Sequence, residues 1–252
     1  MFLAIDIGNT DSTIGYFQNR LLRDTVRIPS RSSTIDEIGK MIVGFLEKQH
    51  GLKTEILGVG ISSVVPDLTK LYCSMVKKYL RAEPKILDHN LKLDFRVLYD
   101  DSAQLGTDRL ANVIAARKLY GYPSLVIDLG TATKYEVIDN NGDYLGGLIA
   151  PGIWTGAQAL FEKGARLFPV KLEEPEKLIG TNTIGALQSG IFHGFLGQLI
   201  YLKESIGREL GYPNPKVVGT GGYVELFKDY PGLFNDVDPG LTLKGIEIAL
   251  NR

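Results

Sequence analysis

The chain has 252 residues, of which 44% are hydrophobic and 23% charged, and this composition excludes disordered, collagen-like and coiled-coil proteins. Its 28 Lys and Arg residues face 29 Asp and Glu residues, so no bulk electrostatic field attracts nucleic acid or an anionic membrane surface. Cys73 is the single cysteine and cannot form an internal disulfide. No stretch approaches ~18 uncharged apolar residues. We therefore expect a cytoplasmic protein that neither spans a membrane nor binds nucleic acid.

The first half of the chain begins with a predicted β-hairpin. An apolar run over residues 4–7 ends at Gly8, and a β-prone run over residues 12–17 follows it. A third such run, over residues 21–28, completes a three-stranded meander. Helices and strands are then predicted to alternate, with helices over residues 34–49 and 66–80 and strands over residues 55–62 and 84–87.

The second half of the chain repeats the opening motif. Residues 126–130, Val-Ile-Asp-Leu-Gly, match the pattern of residues 4–8 at an offset of 122 residues, about half of the chain. The elements predicted after it are strands over residues 133–138 and 144–149, a long helix over 183–210, a strand over 216–218 and a helix over 241–250. The sequence therefore predicts an α/β protein of two duplicated lobes, residues 1–118 and 119–252, each a β-meander with alternating helices and strands.

Both hairpins carry residues suited to binding phosphate. Backbone N–H groups at glycine turns form concave sites for phosphate anions, and neighbouring hydroxyl or amide side chains add hydrogen bonds without adding charge. Such side chains are Asn9, Thr10, Ser12 and Thr13 in the first copy, and Thr131 and Thr133 in the second. Asp6 and Asp128 add the negative charge that a hydrated cation needs. Asp-x-Gly also occurs as simple hairpin punctuation, but its duplication at half-chain spacing favours a nucleotide site.

Other nucleotide-binding patterns are absent or ambiguous. The chain contains neither the P-loop pattern G-x-x-x-x-G-K-[ST] nor the dinucleotide pattern G-x-G-x-x-G. Residues 219–222, Gly-Thr-Gly-Gly, either offer a backbone face to a ribose or an adenine or form a plain strand-to-helix turn.

A further polar segment, Gly106-Thr107-Asp108-Arg109, opens a predicted helix with Asp108 in its first turn. An acid at that position interacts favourably with the helix dipole, which contributes ~0.3–1 kcal/mol and requires no catalytic role. Arg109 is a cation at a helix start, a position that favours a nearby anion. Beside a phosphate site, Asp108 is suited to accept the proton of an attacking hydroxyl, and Arg109 to hold an acceptor carboxylate or phosphate charge.

In the order of its motifs the chain resembles the type III pantothenate kinases, a family of the acetate kinase, sugar kinase and actin superfamily. The matching segments span nearly the whole chain and are residues 6–10, 61–66, 106–109, 128–133, 144–147, 149–152, 179–183, 188–190 and 220–222. The resemblance implies duplicated actin-like ATPase domains of the ribonuclease H-like type.

The resemblance also implies an activity, the ATP-dependent phosphorylation of pantothenate to 4'-phosphopantothenate, the first step of coenzyme A biosynthesis, by a homodimer. The implied proton acceptor is Asp108, and the implied acceptor pocket adds Tyr99, Gly106, Thr107, Arg109 and Thr183, the last supplied across the dimer interface. The implied ATP-binding residues are Asp6, Ile7, Gly8, Asn9, Thr10, Asp11, Ser12, Thr13 and Thr131. By the same resemblance Asp128 binds K⁺ or NH₄⁺, and we expect Asp6 to hold Mg²⁺ through water.

Three residues depart from the family pattern. Thr107 stands where alanine is usual, Asp11 where asparagine is common, and Lys134 where threonine usually follows Ala-Thr. Lys134 is neutral for nucleotide binding if it points away from the phosphates, on the alternate face of its strand.

Two other functions fit the hairpins. One is a kinase of the same superfamily that acts on another small hydroxy acid, because phosphate hairpins do not specify the acceptor. The other is a nucleotide-sensing regulatory module of the accessory-factor type.

Overall fold

The computed structural model describes residues 1–30, 34–50, 55–212 and 215–251, and it divides into two compact units. Unit 1 comprises Met1–Phe95, Tyr99–Leu119 and Gly240–Arg252, and unit 2 comprises Arg96–Leu98 and Tyr120–Pro239. Each unit contains one five-stranded sheet. Within the described ranges, every helix is too short or too polar to cross a lipid bilayer.

The sheet of unit 1 is a three-stranded antiparallel meander extended by two parallel strands. In the order β3-β2-β1-β4-β5, its strands are β1 (Phe2–Ile7), β2 (Asp11–Gln18), β3 (Leu21–Pro29), β4 (Gly58–Ser63) and β5 (Pro84–Ile86). The turn between β2 and β3 has positive φ at Asn19 and Arg20, as a tight hairpin of the twisted sheet requires. The helices of this unit are α1 (Ile35–His50), α2 (Pro66–Met75), which continues as a π-helical turn over Val76–Leu80, α3 (Thr107–Leu119) and α6 (Leu241–Leu250).

The sheet of unit 2 has the same plan. In the order β10-β9-β6-β7-β8, its strands are β6 (Ser124–Leu129), β7 (Ala132–Ile138), β8 (Tyr144–Pro151), β9 (Lys216–Thr220) and β10 (Asp236–Val237). Strands β6, β7 and β8 are antiparallel, whereas β9 and β10 join parallel to β6. The helices of this unit are α4 (Ile153–Lys163) and α5 (Thr183–Glu209). The repeated sheet confirms the predicted duplication of the β-meander.

The central strand of each sheet is buried because both of its neighbours and the covering elements exclude water from it. In unit 1 its inward side chains Leu3, Ile5 and Ile7 form one apolar cluster with Ile14 and Ile61. In unit 2 the corresponding cluster contains Leu125, Ile127 and Leu129 together with Tyr135 and Val217. Each central strand is therefore a rigid support for the polar turn at its carboxyl end.

The last helix, α6, belongs to unit 1, although the predicted division at residue 119 placed it in the second lobe. It packs so closely on α3 that a side chain at Gly245 would overlap the backbone of Ala111. The hydroxyl of Thr242 also donates a hydrogen bond to Asn112 Oδ1 at 2.8 Å. Conversely, Arg96 joins unit 2 through hydrogen bonds to the carboxylate of Asp143. Apolar spacing predicts that a helix exists but does not specify which sheet the helix covers.

Candidate active site

The first hairpin, defined as residues 6–13, joins β1 to β2 through a tight turn. The N–H of Gly8 donates a hydrogen bond to the carbonyl of Asp11 at 3.0 Å, and a Cβ at Gly8 would lie 2.9 Å from that same oxygen. Only glycine fits this turn without displacing the backbone. Asn9 and Thr10 are exposed at its tip, where a ligand can reach their polar groups.

Side chains of the first hairpin divide between the two faces of the sheet. Asp6 and Thr13 are directly opposite each other on one face, and both are half-buried. Ile7 and Ser12 are opposite each other on the other face, where Ile7 is in the core and the Ser12 hydroxyl is buried 3.0 Å from the hydroxyl of Ser30. Ile7 and Ser12 can therefore offer only their main chain to a ligand.

The end of β4 connects the first hairpin to the start of α3. Ser62 is the register partner of Asp6, and its hydroxyl lies 3.1 Å from the Thr107 hydroxyl. Thr107 also accepts a hydrogen bond from the N–H of Ser63 at 3.0 Å and donates one to the Ser63 carbonyl at 3.1 Å. The hydroxyl of Thr107 thus forms its hydrogen bonds with Ser62 and Ser63. These bonds are a structural reason for a threonine at this position.

Asp108 lies in the first turn of α3 and is half-buried. Its Oδ1 accepts a hydrogen bond from the N–H of Arg109 at 2.8 Å, and a Cβ at Gly106 would lie 2.4 Å from that oxygen, so the carboxylate packs closely on Gly106. An acidic side chain in the first turn of a helix interacts favourably with the helix dipole. The carboxylate of Asp108 is therefore held at the start of α3.

Arg109 is buried, with only 4% of its surface exposed, and it packs against Tyr99. Its Nη1 donates a hydrogen bond to the Tyr99 hydroxyl at 3.3 Å, and the guanidinium carbon lies 5.6 Å from the centre of the Tyr99 ring. A guanidinium supported by an aromatic ring is suited to a planar carboxylate. The structure thus brings Tyr99 together with residues 106–109, and we refer to these five residues as the acceptor cluster.

The second hairpin, defined as residues 128–134, is one residue shorter than the first. The N–H of Gly130 bonds the carbonyl of Ala132 at 3.2 Å, and Thr131 is exposed at the tip. Thr133 is buried, and its hydroxyl donates to the Pro151 carbonyl at 3.3 Å. Of the two candidate threonines in this hairpin, Thr131 is the exposed one.

The start of α4 supports the second hairpin, a role that the sequence did not reveal. The carbonyl of Thr131 accepts hydrogen bonds from the N–H of Gly152 at 3.0 Å and from the hydroxyl of Thr155 at 2.7 Å. A Cβ at Gly152 would lie 2.6 Å from that carbonyl oxygen and closer still to the carbonyl of Gly130. The available signal was the Pro151-Gly152 pair directly before an apolar helical run.

Asp128 forms an ion pair with Lys134, so the condition under which Lys134 would be neutral, a side chain that points away from the second hairpin, is not met. The two residues are register partners on β6 and β7, and Lys134 Nζ lies 3.0 Å from Asp128 Oδ2. The side chains are only 17% and 11% exposed, respectively. Gly221, at φ +93°, packs against Oδ1, since a Cβ there would lie 2.5 Å from that atom. These surroundings do not fit a dissociable K⁺ or NH₄⁺ ion at Asp128.

The glycine-rich segment after β9 forms a strand-to-helix turn. The N–H of Tyr223 bonds the carbonyl of Leu129 at 3.0 Å, and a short 3₁₀ helix over Val224–Leu226 follows. This turn therefore closes over the end of β6. That the backbone of this turn contacts a ribose or an adenine stays a prediction.

Thr183 is the first residue of α5 and is exposed. The Asn182 side chain caps this helix by accepting a hydrogen bond from the N–H of Gly185 at 2.9 Å. Thr183 belongs to unit 2, whereas the acceptor cluster belongs to unit 1. The expected role of Thr183 in the acceptor pocket stays a prediction.

The metal-binding capacity of the described ranges is limited, because they contain no group of three or more His, Cys, Asp or Glu side chains arranged to hold an ion. Mg²⁺ in phosphoryl transfer keeps several waters and needs only one or two carboxylates in addition to the nucleotide phosphates. The half-buried carboxylate of Asp6, at the end of β1, fits that requirement.

Comparison with known proteins gives consistent matches along the chain. The family model described as type III pantothenate kinase matches residues 2–205. A protein of Moorella thermoacetica named type III pantothenate kinase is 39% identical over 254 residues, which cover 100% of this chain and 99% of that protein.

Solved structures with a similar fold include a protein of Campylobacter jejuni described as a Baf family transcriptional activator, with a TM-score of 0.59 and 23% identity. The alignment covers 99% of this chain and 97% of that one. The activator of the 2-hydroxyisocaproyl-CoA dehydratase from Clostridium difficile, solved with bound ADPNP, gives a TM-score of 0.53 at 15% identity and covers 98% and 92% of the two chains. These similarities confirm the predicted fold class.

Proposed function

Because the chain belongs to the type III pantothenate kinase family, we propose that it phosphorylates pantothenate to 4'-phosphopantothenate with ATP, the first step of coenzyme A biosynthesis. The observation that carries this proposal is the acceptor cluster, in which the carboxylate of Asp108 accepts a hydrogen bond from the main-chain N–H of Arg109, whose side chain is buried against Tyr99. One group is placed to take a proton and the other to hold an acid substrate.

In the proposed reaction the primary hydroxyl oxygen of pantothenate attacks the γ-phosphorus of ATP, and the bond from that phosphorus to the leaving oxygen of ADP breaks. Asp108 takes the hydroxyl proton during the attack. Arg109 and Tyr99 hold the pantothenate carboxylate, which fixes the distance between the hydroxyl and Asp108. The hydrogen bonds of Thr107 keep the first turn of α3 in place on β4 during this step.

We assign ATP binding to the two hairpins. In the first, the main chain of residues 7–12 and the side chains of Asn9, Thr10, Asp11 and Thr13 would contact the phosphates, and in the second Thr131 would do so. Asp6 would hold Mg²⁺ through water, and the ion would supply positive charge to the phosphates. The glycine turns supply backbone N–H groups that bind anions without a lysine of the P-loop type.

We also propose that the chain acts in the cytoplasm as a homodimer in which Thr183 reaches the acceptor pocket of the partner subunit. Helix α5, which begins at Thr183, supports this proposal because Thr183 and Ile184 are both exposed at its start, where a partner subunit can reach them. Light scattering at micromolar concentration measures the oligomeric state, and a monomer with full activity contradicts this arrangement.

The experiment that tests the activity measures ADP release from ATP over a panel of small hydroxy acids. We expect release that depends on pantothenate, with the phosphorylated product identified by mass spectrometry. Release with a different hydroxy acid only would support another kinase of the same superfamily. Tight nucleotide binding without phosphoryl transfer to any acceptor would support a nucleotide-sensing module.

A further inference from the structure

The ion pair between Lys134 and Asp128 lies directly before the turn that is proposed to meet the nucleotide. Asp128 is the penultimate residue of β6, and the turn residues Gly130 and Thr131 follow two and three positions later. Lys134 is the third residue of β7, and the hairpin register sets it opposite Asp128. The ammonium group is thus fixed at the base of the second hairpin.

The equivalent position in unit 1 carries no charge. There the penultimate residue of β1 is Asp6, and its register partner on β2 is Thr13. The two hairpins repeat the acid but not the residue that faces it. The positive charge of Lys134 is therefore a specific feature of the second hairpin rather than a requirement of the repeated fold.

Burial of this ion pair reduces its contribution to stability, which favours a role for its charges in binding a ligand. Both side chains are largely removed from water, and the desolvation of two ions offsets much of their attraction. A pair of similar geometry elsewhere in unit 2, Lys216 with Asp236 at 3.1 Å, has both side chains 40% exposed and carries no such cost.

The ammonium group of Lys134 supplies the charge that a bound monovalent cation would supply at Asp128. It carries one positive charge, it is in contact with Oδ2, and it is held at the turn by its own strand. A second cation at the same carboxylate would lie beside that ammonium and would be repelled by it. A Cβ at Gly221 would lie 2.5 Å from the other carboxylate oxygen, so the turn after β9 comes close to it.

We infer that Lys134 is a tethered ammonium ion that replaces a dissociable monovalent cation at Asp128, so that nucleotide binding and phosphoryl transfer by this chain require neither K⁺ nor NH₄⁺. The inference rests on the proposed function, because it concerns the phosphate site of that reaction. It makes Lys134 a positioning residue, which neutralises Asp128 and places a fixed positive charge near the nucleotide phosphates.

The test compares the wild-type chain with Lys134→Thr in tetramethylammonium chloride, KCl and NH₄Cl at the same ionic strength. We expect the rate of pantothenate phosphorylation by the wild type to change less than about twofold among the three salts. In Lys134→Thr we expect the rate of phosphorylation to fall about tenfold or more in tetramethylammonium chloride. The rate should recover in KCl or NH₄Cl, because K⁺ or NH₄⁺ then binds at Asp128 in place of the missing ammonium group. A wild-type rate that rises about tenfold on adding K⁺ overturns the inference.

The affinity for ADP, measured by calorimetry in the same salts, is a second readout that does not depend on turnover. It should be independent of K⁺ in the wild type and dependent on K⁺ in Lys134→Thr. If no pantothenate is phosphorylated in any salt, the proposed function fails, and the ADP affinities alone decide the inference. If ADP binds to the wild type only in the presence of K⁺, the inference is overturned.

Two further variants control for structure. Lys216→Thr removes the lysine of the exposed cross-strand pair and should produce no dependence on K⁺. Lys134→Thr leaves the buried carboxylate of Asp128 without its lysine, so the folding of this variant is checked by circular dichroism. A double variant, Lys134→Thr with Asp128→Asn, removes both charges of the pair. The double variant should fold, and its ADP affinity should not respond to K⁺, whereas a K⁺ response in it would show that the ion acts at another place and would contradict the inference.

Discussion

The hydroxyl of Thr107 and the main chain of Ser63 exchange two hydrogen bonds, of 3.0 and 3.1 Å, at the junction of α3 and β4. This contact fixes the first turn of α3, and with it Asp108, to the sheet that also carries Asp6. The position of Asp108, the proposed proton acceptor, is therefore determined by the sheet and not by the exposed residues that precede α3.

Replacing Thr107 by alanine should destabilise unit 1 by about 1–3 kcal/mol, because the partly buried polar groups of Ser63 lose a partner. The effect on kcat, expressed as a free energy, should be smaller than the loss of stability, since alanine leaves the side chains of Asp108 and Arg109 in place. Urea unfolding measures the first effect and ADP release the second. Thr107→Ser keeps the hydroxyl and should restore most of the stability; equal losses in the two variants would refute the role of the hydrogen bonds.

Asp108→Asn should lower kcat by about 10²–10⁴-fold, because the amide cannot accept the proton of the attacking hydroxyl. The affinity for ATP, measured by calorimetry, should stay nearly unchanged. Asp67→Asn is a matched control, since Asp67 is also an acid in the first turn of a helix, α2, and is exposed. It should lose only the interaction with the helix dipole, ~0.3–1 kcal/mol of stability, and keep its activity.

Arg109→Lys should raise the KM for pantothenate by about tenfold or more, because an ammonium group cannot form the paired hydrogen bonds of a guanidinium. The KM for ATP should change little. Arg117→Lys serves as the control on the same helix, where Arg117 lies 4.1 Å from the Phe95 ring and 2.9 Å from Asp94. An equal rise of the KM for pantothenate in the control would show a general effect on α3.

Gly152→Ala should weaken ATP binding, because the added Cβ overlaps the carbonyls of Gly130 and Thr131 and displaces the second hairpin. Nucleotide titration followed by calorimetry measures the loss. Gly156→Ala, one turn further along α4, meets no atom within 4 Å. That control should keep its ATP affinity and gain roughly 0.5–1 kcal/mol of stability from the better helix former.

Tyr135 gives the free energy of unfolding a dependence on alkaline pH. Burial raises the pKa of its hydroxyl from the ordinary value of 10.0 to about 12 in the folded chain. Between these values the unfolded chain loses the proton first, so the folded state binds more protons and stability falls as pH rises, by about 2–3 kcal/mol in all.

The check compares Tyr135→Phe with Tyr201→Phe by urea unfolding at pH values from neutral to about 12. Tyr135→Phe should reduce the alkaline loss of stability and change the stability little at neutral pH. Tyr201 is 65% exposed, and its replacement should leave the alkaline loss as it is in the wild type. Parallel curves for all three proteins would exclude a contribution from Tyr135.

The sequence was sufficient to predict both meanders, α1, α5 and the helix start that carries Asp108 and Arg109, since each depends on local spacing or on a motif of adjacent residues. Tyr99 was expected beside them only from the family resemblance. It was not sufficient to place Lys134. Alternation along β7 shows which residues share a face of that strand, but the partner of each residue on β6 depends on the length of the turn. The turn of the second hairpin is one residue shorter than that of the first, and this length sets Lys134 opposite Asp128.

Two glycines whose role the sequence left open act through close backbone approach. Gly152 and Gly221 matter because they have no side chain where α4 and the turn after β9 reach the second hairpin. The sequence marks both as turn glycines but does not show which backbone each of them meets. Likewise, α6 has the pattern of a buried helix but no local mark of the sheet that it covers.

The return of α6 to unit 1 has a consequence for the order in which the chain is made and assembled. Residues 1–119 leave the ribosome long before residues 240–252. During that interval Gly60 and Gly15 on the first sheet lack the side chains of Ile246 and Leu243, which pack against them in the folded unit. Until then the nascent first unit exposes an apolar surface that only the final segment can cover. Premature release, or a fusion that holds this segment away, should therefore affect the half of the molecule that was synthesised first.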